Sequence, residues 1–292
     1  MLRKIRIATA IICFTLITLL FLDFTGTLHQ WFGWLAKIQF LPALLALNIG
    51  IVLALIVLTF ALGRIYCSVI CPLGIFQDAI SWIAGKRKKN RFVYSPAISW
   101  LRYGVLTLFI IALVAGIGSF VQLLAPYSSY GRIASNLFAP LYQWGNNLLA
   151  YWAERMDSYA FYSVDVWMKG TLTLSIAVIT FVILAILAWR SGRTYCNTIC
   201  PVGTTLGFLS KYSLFKIRID DNLCNSCGSC GRNCKASCID TKNHKIDHSR
   251  CINCFDCIEV CSQSAMKFSY STKAVRNTRK VDVDRKSTRL NS

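Results

Sequence analysis

Fourteen cysteines in a chain of 292 residues are the side chains of this sequence best suited to chemistry. Eight of them form two runs near the carboxyl end, and both runs have the spacing C-x-x-C-x-x-C-x-x-x-C. Thiolates at this spacing hold [4Fe-4S] clusters, and the fourth cysteine of each run ligates the cluster of the other run. The first run is Cys224, Cys227, Cys230 and Cys234, and the second run is Cys251, Cys254, Cys257 and Cys261.

The two runs therefore predict two [4Fe-4S] clusters with crossed ligands. Zinc ribbons are the alternative, but they use four sulfurs in two C-x-x-C pairs, whereas two complete sets of four repeat here. Lys235 and Ser262 stand where a proline usually follows the fourth cysteine, which affects the local backbone and not the number of ligands. We expect one cluster on Cys224, Cys227, Cys230 and Cys261, and the other on Cys251, Cys254, Cys257 and Cys234.

Four further cysteines lie in a repeated twelve-residue box, G-R-x-Y-C-x-x-I-C-P-x-G, at residues 63–74 and 192–203. Two cysteines four residues apart can share one face of a helical turn, and the proline after the second cysteine redirects the chain. The two pairs could form one four-thiolate metal site, act as two thiol pairs, or serve as structural turns with buried thiols. Because the whole box is duplicated, we treat both copies as possible redox boxes, with the candidate residues Cys67, Cys71, Cys196 and Cys200.

The remaining cysteines and histidines fit these patterns less well. Cys13 lies in the first apolar segment and is expected to be a membrane-facing or packing residue. Cys238 follows the first run, as either a structural thiol or a swapped cluster ligand. His244 and His248 lie between the two runs and are expected to be exposed to solvent.

The composition indicates a membrane protein. Hydrophobic residues make up 55% of the chain and charged residues 15%, against about 25% charged in an ordinary soluble domain. A bilayer core of about 30 Å takes about 20 helical residues. Four apolar segments qualify and predict transmembrane helices at about 5–24, 41–62, 101–123 and 171–189.

These four segments form two duplicated hairpins, because a box closes the second segment and the other box closes the fourth. The first segment could instead be a cleaved signal peptide, but no small-residue cleavage site follows it. The sequence therefore predicts an uncleaved first helix. The aromatic-rich loop between the third and fourth segments predicts one or two helices on the outer face, which anchor the protein or dock a partner.

The basic residues give the orientation. The formal net charge is +19, and Lys and Arg cluster before the first segment, between the second and third, and after the fourth. The loops between these clusters are poor in them, so the positive-inside rule places both termini and the clusters on the cytoplasmic side of the inner membrane. The basic residues are scattered and form no nucleic-acid module, so we expect attraction to anionic lipid and no nucleic-acid partner.

The predicted fold class is an α-helical, multi-pass membrane protein with a small α+β ferredoxin-like C-terminal domain. Residues 1–215 are expected to form the four-helix membrane domain with the two boxes. Residues 216–272 are expected to form the cytoplasmic two-cluster domain. Residues 273–292 are expected to be a disordered or artefactual tail without a function.

The four helices, the two C-x-x-x-C-P boxes and the C-terminal runs resemble the NapH/NosR-type membrane iron–sulfur proteins, the ferredoxin-type components of quinol dehydrogenases. The resemblance extends from about residue 5 to residue 270. It implies electron transfer between the quinone pool, two cytoplasmic clusters and an unidentified redox protein partner. It also implies a function for the box cysteines. NosR proteins carry a large extracytoplasmic flavin domain as well, and no segment here is long enough for one.

Two hypotheses for the function follow. The first is an electron-transfer component of a quinol dehydrogenase system, with two [4Fe-4S] clusters, a quinone or quinol, and no catalytic residue of its own. The alternative is a redox or metal-handling assembly factor for a membrane oxidase, in which the box cysteines handle metal or thiols.

Overall fold

The computed structural model describes residues 1–23, 25–85, 92–156, 162–166 and 170–270. The predicted tail at 273–292 and the basic run at 86–91 lie outside the described residues. The chain is mostly helical, and its strands lie in the C-terminal part. The helices before the strands are α1 (Leu2–Leu22), α2 (Thr27–Phe32), α3 (Trp34–Lys37), α4 (Phe40–Leu45), α5 (Ile49–Leu62), α6 (Tyr66–Val69), α7 (Pro72–Gly85), α8 (Ser99–Val114), α9 (Gly118–Leu124), α10 (Pro126–Ile133), α11 (Ala139–Arg155), α12 (Thr171–Ser191), α13 (Thr194–Thr198) and α14 (Pro201–Ser210), with a π-helical turn at Ala134–Phe138 between α10 and α11.

Two of the predicted transmembrane segments are long continuous helices. α1 and α12 each contain 21 residues and are, among the described residues, long and apolar enough to cross a membrane. At about 1.5 Å per residue, each is about as long as a bilayer core is thick. Only 22% of the apolar window of α1 and 17% of that of α12 are buried, so most of their apolar surface faces outward.

The other two predicted segments are interrupted. The segment at 41–62 is divided into α4 and α5 at Leu47, whose φ is +51°, and Asn48 caps α5 by accepting a hydrogen bond from the Ile51 amide. The segment at 101–123 is divided into α8 and α9 at Gly116, whose φ is +72°. A left-handed residue ends a helix because the next turn cannot continue the α-helical path. The prediction of continuous helices at 41–62 and 101–123 is therefore wrong, and α5 and α8 are shorter than a straight span requires.

The aromatic-rich loop enters the core instead of lying wholly on the outer face. Tyr130 on α10 is fully buried, and its hydroxyl lies 2.6 Å from the Thr18 hydroxyl on α1. A Cβ at Gly131 would come within 2.8 Å of the Phe21 ring, so α10 lies directly against α1. In α11, by contrast, Ala150 is the buried residue, and most of the helix is exposed. The exposed α11 agrees with the prediction of one or two surface helices, whereas α10 of the same loop packs its aromatic side chains inward.

Each box folds in the same way at the end of a helix. Gly63 ends α5 and Gly192 ends α12, with φ values of +69° and +67°. Glycine adopts this left-handed conformation without the strain of a Cβ. A short helix follows each glycine, α6 or α13, and Pro72 or Pro201 then begins α7 or α14. Proline suits this first helical position because its missing N–H would have no partner there.

The helices that follow the boxes interleave the two halves of the chain. α7, from the first half, packs against α1 and against α12. α14, from the second half, packs against α8 and against α5. Each of these helices therefore contacts one helix of a predicted membrane segment from its own half and one from the other half, as the internal repeat requires if a pseudo-twofold axis relates the halves.

The C-terminal part is a small α+β unit, as the cysteine runs predict. Strands β1 (Phe215–Ile219) and β4 (Met266–Tyr270) pair antiparallel, with Phe215 opposite Tyr270. Strands β2 (Ile239–Asp240) and β3 (Lys245–Ile246) form a second antiparallel pair. The short helices α15 (Ser229–Arg232) and α16 (Asp256–Glu259) each begin within a cysteine run.

Candidate functional site

The first predicted ligand set lines one cavity in the C-terminal unit. The cavity is bounded by three cysteines of the first run and by Cys261 of the second run, together with small polar residues of the first run. The fold therefore brings the fourth cysteine of the second run to the other set, which is the crossed arrangement. The backbone N–H and the hydroxyl of Ser229 donate hydrogen bonds to Cys227 and lower the pKa of its thiol. The cysteines of this cavity are Cys224, Cys227, Cys230 and Cys261.

The second predicted set lines a second cavity, and a fifth thiol joins it. Apart from sulfur, the walls are alanine and isoleucine side chains. Cys238 lies in this cavity with its sulfur 3.6 Å from that of Cys234, so it belongs to the site and is not a remote structural thiol. The cysteines of this cavity are Cys234, Cys238, Cys251, Cys254 and Cys257.

The backbone around both cavities is bent at equivalent positions. Ser226 and Gly228 flank Cys227 with φ values of +57° and +73°. Asn253 and Phe255 flank Cys254 with φ values of +49° and +62°. A left-handed conformation costs a non-glycine residue about 1–2 kcal/mol, so the fold maintains this bend in both runs against local preference. Within the described ranges, no group of three or more Cys, His, Asp or Glu side chains is placed to hold a single metal ion. Sulfur-lined walls around a cavity fit an iron–sulfur cluster better than one ion.

His244 is a site residue that the sequence analysis missed. Its Nε2 lies 2.9 Å from the Ser226 hydroxyl and 3.9 Å from the Cys224 sulfur, and its Nδ1 lies 2.7 Å from Asp221. The prediction of a solvated side chain is therefore wrong, because His244 lines the first cavity. Its separation from the cysteines along the chain follows no ligand spacing, so the sequence carried no signal for this contact.

His248 is also withdrawn from solvent. Burial, and then the nearby positive charge of Lys216, lower the pKa of this imidazole to about 4. Its backbone carbonyl accepts a hydrogen bond from Ser210 at the end of α14. His248 is therefore neutral at pH 7 and lies where the C-terminal unit meets the helices.

The four box cysteines lie together in the core of the helical part. Cys67, Cys71, Cys196 and Cys200 are only 3–4% exposed, and all belong to one packed cluster. The spacing had suggested that the two cysteines of one box share a helical face, but in the structure they do not. The first cysteine lies in the short helix, and the second stands before the proline that begins the next helix. The amide of Gly203 donates to the Cys200 sulfur at 3.3 Å. Burial, together with the neighbouring thiols, raises the pKa of Cys71 and Cys200.

The arginine of each box reaches into the other box. Arg64 Nη2 donates to the Cys196 carbonyl at 3.1 Å, and Arg193 Nη1 donates to the Cys67 carbonyl at 2.6 Å. Both guanidinium groups pass the last glycine of the opposite box: a Cβ at Gly74 would lie 2.5 Å from Arg193 Nη1, and one at Gly203 would lie 2.8 Å from Arg64 Nη2. We call these contacts, in which the arginine of each box binds the other box, the exchange of arginines. The sequence analysis missed it, although the Gly-Arg pair that begins both boxes was a signal for it.

Arg193 is bound to a buried carboxylate that also contacts the C-terminal unit. Its Nε and Nη2 each lie 2.8 Å from an oxygen of Asp78 on α7. Asp78 also accepts from Arg6 at 3.2 Å and lies 3.9 Å from Lys235 Nζ. Burial alone would raise the pKa of Asp78, but Arg193, Lys235 and Arg6 hold it well below its ordinary value. Lys235, in the place of the usual proline, also binds Asp256 at 3.0 Å.

Both the second run and the segment that directly follows the first run contact the boxes and the adjoining end of α5. Asn253 donates to the Leu62 carbonyl at the end of α5, and Asn197 of the second box donates to the Ala236 carbonyl at 3.2 Å. Ile252 and Cys254 belong to the same packed cluster as the four box cysteines. The second cavity therefore adjoins the boxes, whereas Cys227 at the first cavity is exposed.

An apolar crevice lies beside both the boxes and the second run. Its walls come from the start of α1, the end of α5, the first box, and two phenylalanines of the C-terminal unit. Arg6 and Thr9 are its polar side chains, and Phe255 stands between Cys254 and Cys257 of the second run. The remaining lining residues are Leu2, Ile5, Leu58, Leu62, Ile65, Val69, Ile70 and Phe268.

The 4Fe-4S binding domain family matches two segments of this chain, residues 44–90 and 173–220. Each segment contains one box, and neither reaches the C-terminal cysteine runs. The chain is therefore an iron–sulfur protein of the ferredoxin type. No solved structure matches it significantly.

The relatives agree with this class. The ferredoxin-type protein NapH of Haemophilus influenzae is 27% identical over 228 residues, which cover 74% of this chain and 66% of NapH. The methylamine utilization ferredoxin-type protein MauN of Paracoccus denitrificans is 26% identical over 175 residues, 59% of this chain and 48% of MauN. An uncharacterized protein of Methanocaldococcus jannaschii is 25% identical over 232 residues, 77% of this chain and 71% of that protein. The family match and these relatives support a NapH-like family of ferredoxin-type 4Fe-4S proteins for this chain.

Proposed function

We propose that this protein relays electrons between the quinone pool and a redox protein partner through two [4Fe-4S] clusters. The observation that carries the proposal is that each predicted, crossed set of four cysteines lines its own cavity. When bound, the clusters supply one-electron transfer. Residues 216–272 form the carrier unit, and residues 1–215 form the scaffold that holds it. The ligands are Cys224, Cys227, Cys230 and Cys261 for the first cluster and Cys251, Cys254, Cys257 and Cys234 for the second.

The scaffold lies in the inner membrane and crosses it more than once. Support comes from α1 and α12, whose length and outward-facing apolar side chains suit lipid. α5 and α8 complete the bundle as shorter, interrupted elements that also expose leucine and isoleucine. Because Lys and Arg are concentrated before α1, between α7 and α8, and after α12, both termini and the clusters face the cytoplasm.

The crevice beside α1 and α5 is the site for the quinone ring. Its walls are apolar, and α1 and α5 expose apolar side chains to lipid. Arg6 Nε–H has no hydrogen-bond partner among the described residues and can donate, and the oxygen of the Thr9 hydroxyl, whose proton goes to α1 carbonyls, can accept. Such a mostly apolar cleft with a few polar groups is the usual form of a cofactor site. Phe255 lines the crevice and packs in the same cluster as Cys251 and Cys257 of the second cavity, so it connects the two sites.

The partner docks at the opposite side of the C-terminal unit. Cys227 is exposed, whereas the cysteines of the second cavity are buried. Electrons therefore pass between the crevice and the partner by way of the buried second cluster and the exposed first cluster.

Spectroscopy of cysteine variants tests the ligand assignment. In anaerobically purified protein, Cys261→Ser should alter the EPR signal of the first cluster, and Cys234→Ser that of the second. Cys257→Ser should remove one cluster and most of the electron flow. Cys13→Ser in α1 is the matched control and should leave both signals unchanged. If Cys261→Ser and Cys251→Ser alter the same signal, the crossed assignment is wrong.

Blocking the crevice tests the quinone site. Ile5→Trp places a large ring in the crevice, whereas Ile12→Trp places the same ring on an exposed part of α1 that does not line it. We expect Ile5→Trp to slow reduction of the clusters by a quinol at least tenfold, with reduction by dithionite unchanged. Equal quinol rates in the two variants would exclude this crevice.

The alternative, an assembly factor that hands metal to an oxidase through the boxes, is less well supported. Metal transfer between proteins needs thiols that a partner can reach, and the box cysteines are only 3–4% exposed.

A further inference from the structure

We infer that the two boxes together hold a third iron–sulfur centre, ligated by Cys67, Cys71, Cys196 and Cys200. This inference extends the proposed electron relay and rests on it. Each half of the chain supplies two of the four thiols from equivalent positions, and all four lie in one packed cluster. Four thiolates are the usual ligand set of an iron–sulfur cluster.

A buried positive charge beside these thiols supports the assignment. Arg64 is 0% exposed, and the acceptors of its described hydrogen bonds are the Asn197 side chain, the carbonyls of Ser249 and Cys196, and the Cys67 sulfur at 4.0 Å. None of these described acceptors is a carboxylate. A buried cation is costly unless an anion pairs with it. Metal-bound thiolates would supply that anion, since a metal displaces the thiol protons.

Hydrogen-bond donors also point at the box sulfurs. The Gly203 amide donates to Cys200 at 3.3 Å, and the Gln77 side-chain amide donates to Cys196 at 3.5 Å. N–H donors to ligand sulfurs are one way in which a protein tunes the potential of an iron–sulfur cluster. A purely structural pair of turns has no need of donors from another helix, such as Gln77 of α7.

Iron–sulfur chemistry fits better than zinc or copper. Four thiolates also suit zinc, but zinc has no redox chemistry, whereas an iron–sulfur centre beside the second cluster set extends the electron relay. The site also lies on the proposed electron path. Ile65, Val69 and Ile70 of the first box line the quinone crevice, and Cys254 of the second cluster set packs in the same cluster as the box thiols.

Metal analysis of the full-length protein tests this inference. The protein is produced anaerobically with ⁵⁷Fe and analysed by Mössbauer spectroscopy, EPR, and measurement of iron, zinc and copper. We expect more than the about eight irons that two [4Fe-4S] clusters contain. The double variant Cys67→Ser/Cys196→Ser should lose only the excess iron and keep both C-terminal EPR signals, and Cys13→Ser should lose none.

Each contrary result has a distinct meaning. About eight irons in the parent, with no metal lost in the double variant, would overturn the third centre and leave the proposed relay intact. Zinc or copper lost in place of iron would overturn it as well. If the double variant does not fold, the single variant Cys200→Ser replaces one ligand, and Mössbauer and EPR spectra identical to those of the parent would refute the assignment. Absence of both C-terminal signals from the parent would refute the proposed function itself.

Discussion

Adding one methyl group at Gly203 tests the exchange of arginines between the boxes. In Gly203→Ala the new Cβ would lie 2.8 Å from Arg64 Nη2 and would overlap the Cys196 carbonyl. Backbone cannot yield easily there, so the guanidinium must move and lose its 3.1 Å bond to that carbonyl.

The expected cost follows from these two contacts. Overpacking in a well-packed core costs about 1–3 kcal/mol, and a hydrogen bond from a charged group is worth about 1.5–3 kcal/mol. The higher helix propensity of alanine over glycine offsets this loss of stability by at most about 1 kcal/mol. The free energy of unfolding should therefore fall by about 3 kcal/mol. At about 2 °C per kcal/mol for a chain of this size, the melting temperature should fall by about 6 °C.

Thermal unfolding in detergent, followed by circular dichroism, measures the effect. Gly74→Ala should behave in the same way, because its Cβ would lie 2.5 Å from Arg193 Nη1. Gly104→Ala is the matched control: it lies within α8, and a Cβ there meets no atom within 4 Å, so its melting temperature should stay the same or rise slightly. If the melting temperatures of Gly203→Ala and Gly104→Ala agree, the arginine exchange does not stabilise the fold.

Three further substitutions probe the contacts described above. Asp78→Asn leaves Arg193 without its carboxylate and should lower the free energy of unfolding by about 3–5 kcal/mol in thermal unfolding, whereas Glu154→Gln on exposed α11 should have no effect. The pKa of His248 is lowered to about 4, so folding favours its neutral form, and its contribution is complete above about pH 6.5 and lost as the pH falls towards 4. The parent should therefore lose about 2 kcal/mol more than His248→Gln between pH 7 and pH 5, and equal pH profiles would contradict the lowered pKa. Tyr130→Phe removes the 2.6 Å contact with Thr18 and should cost about 1 kcal/mol in the same unfolding assay; a cost near zero would mean that this contact does not stabilise the fold.

The sequence predicted best where spacing alone determines geometry. Two residues separate each of Cys224, Cys227 and Cys230 from the next, a spacing that brings them to one small site, and all three line one cavity with Cys261. Long uncharged runs likewise predicted α1 and α12, because length and hydropathy suffice to describe a continuous helix.

Prediction failed where distant residues decide the conformation. Leu47 itself has no local preference for positive φ. Asn48, whose side chain caps α5, was the signal for a helix start that the run at 41–62 offered and that its hydropathy masked. The burial of Tyr130 depends on α1 and α7, which are far away in sequence. The contacts of His244 and the exchange of Arg64 and Arg193 are likewise made between segments that only the complete fold brings together.

The exchange of arginines has a consequence for biosynthesis. When the first box leaves the ribosome, the carbonyl that Arg64 will bind belongs to a residue 132 positions further along the nascent chain. Until translation reaches that residue, the buried site of the Arg64 guanidinium does not exist, and the guanidinium must stay hydrated. The first hairpin can therefore complete its folding only after the second hairpin has been synthesised. A truncated chain would expose an unburied arginine and two reactive thiols to the cell's quality control.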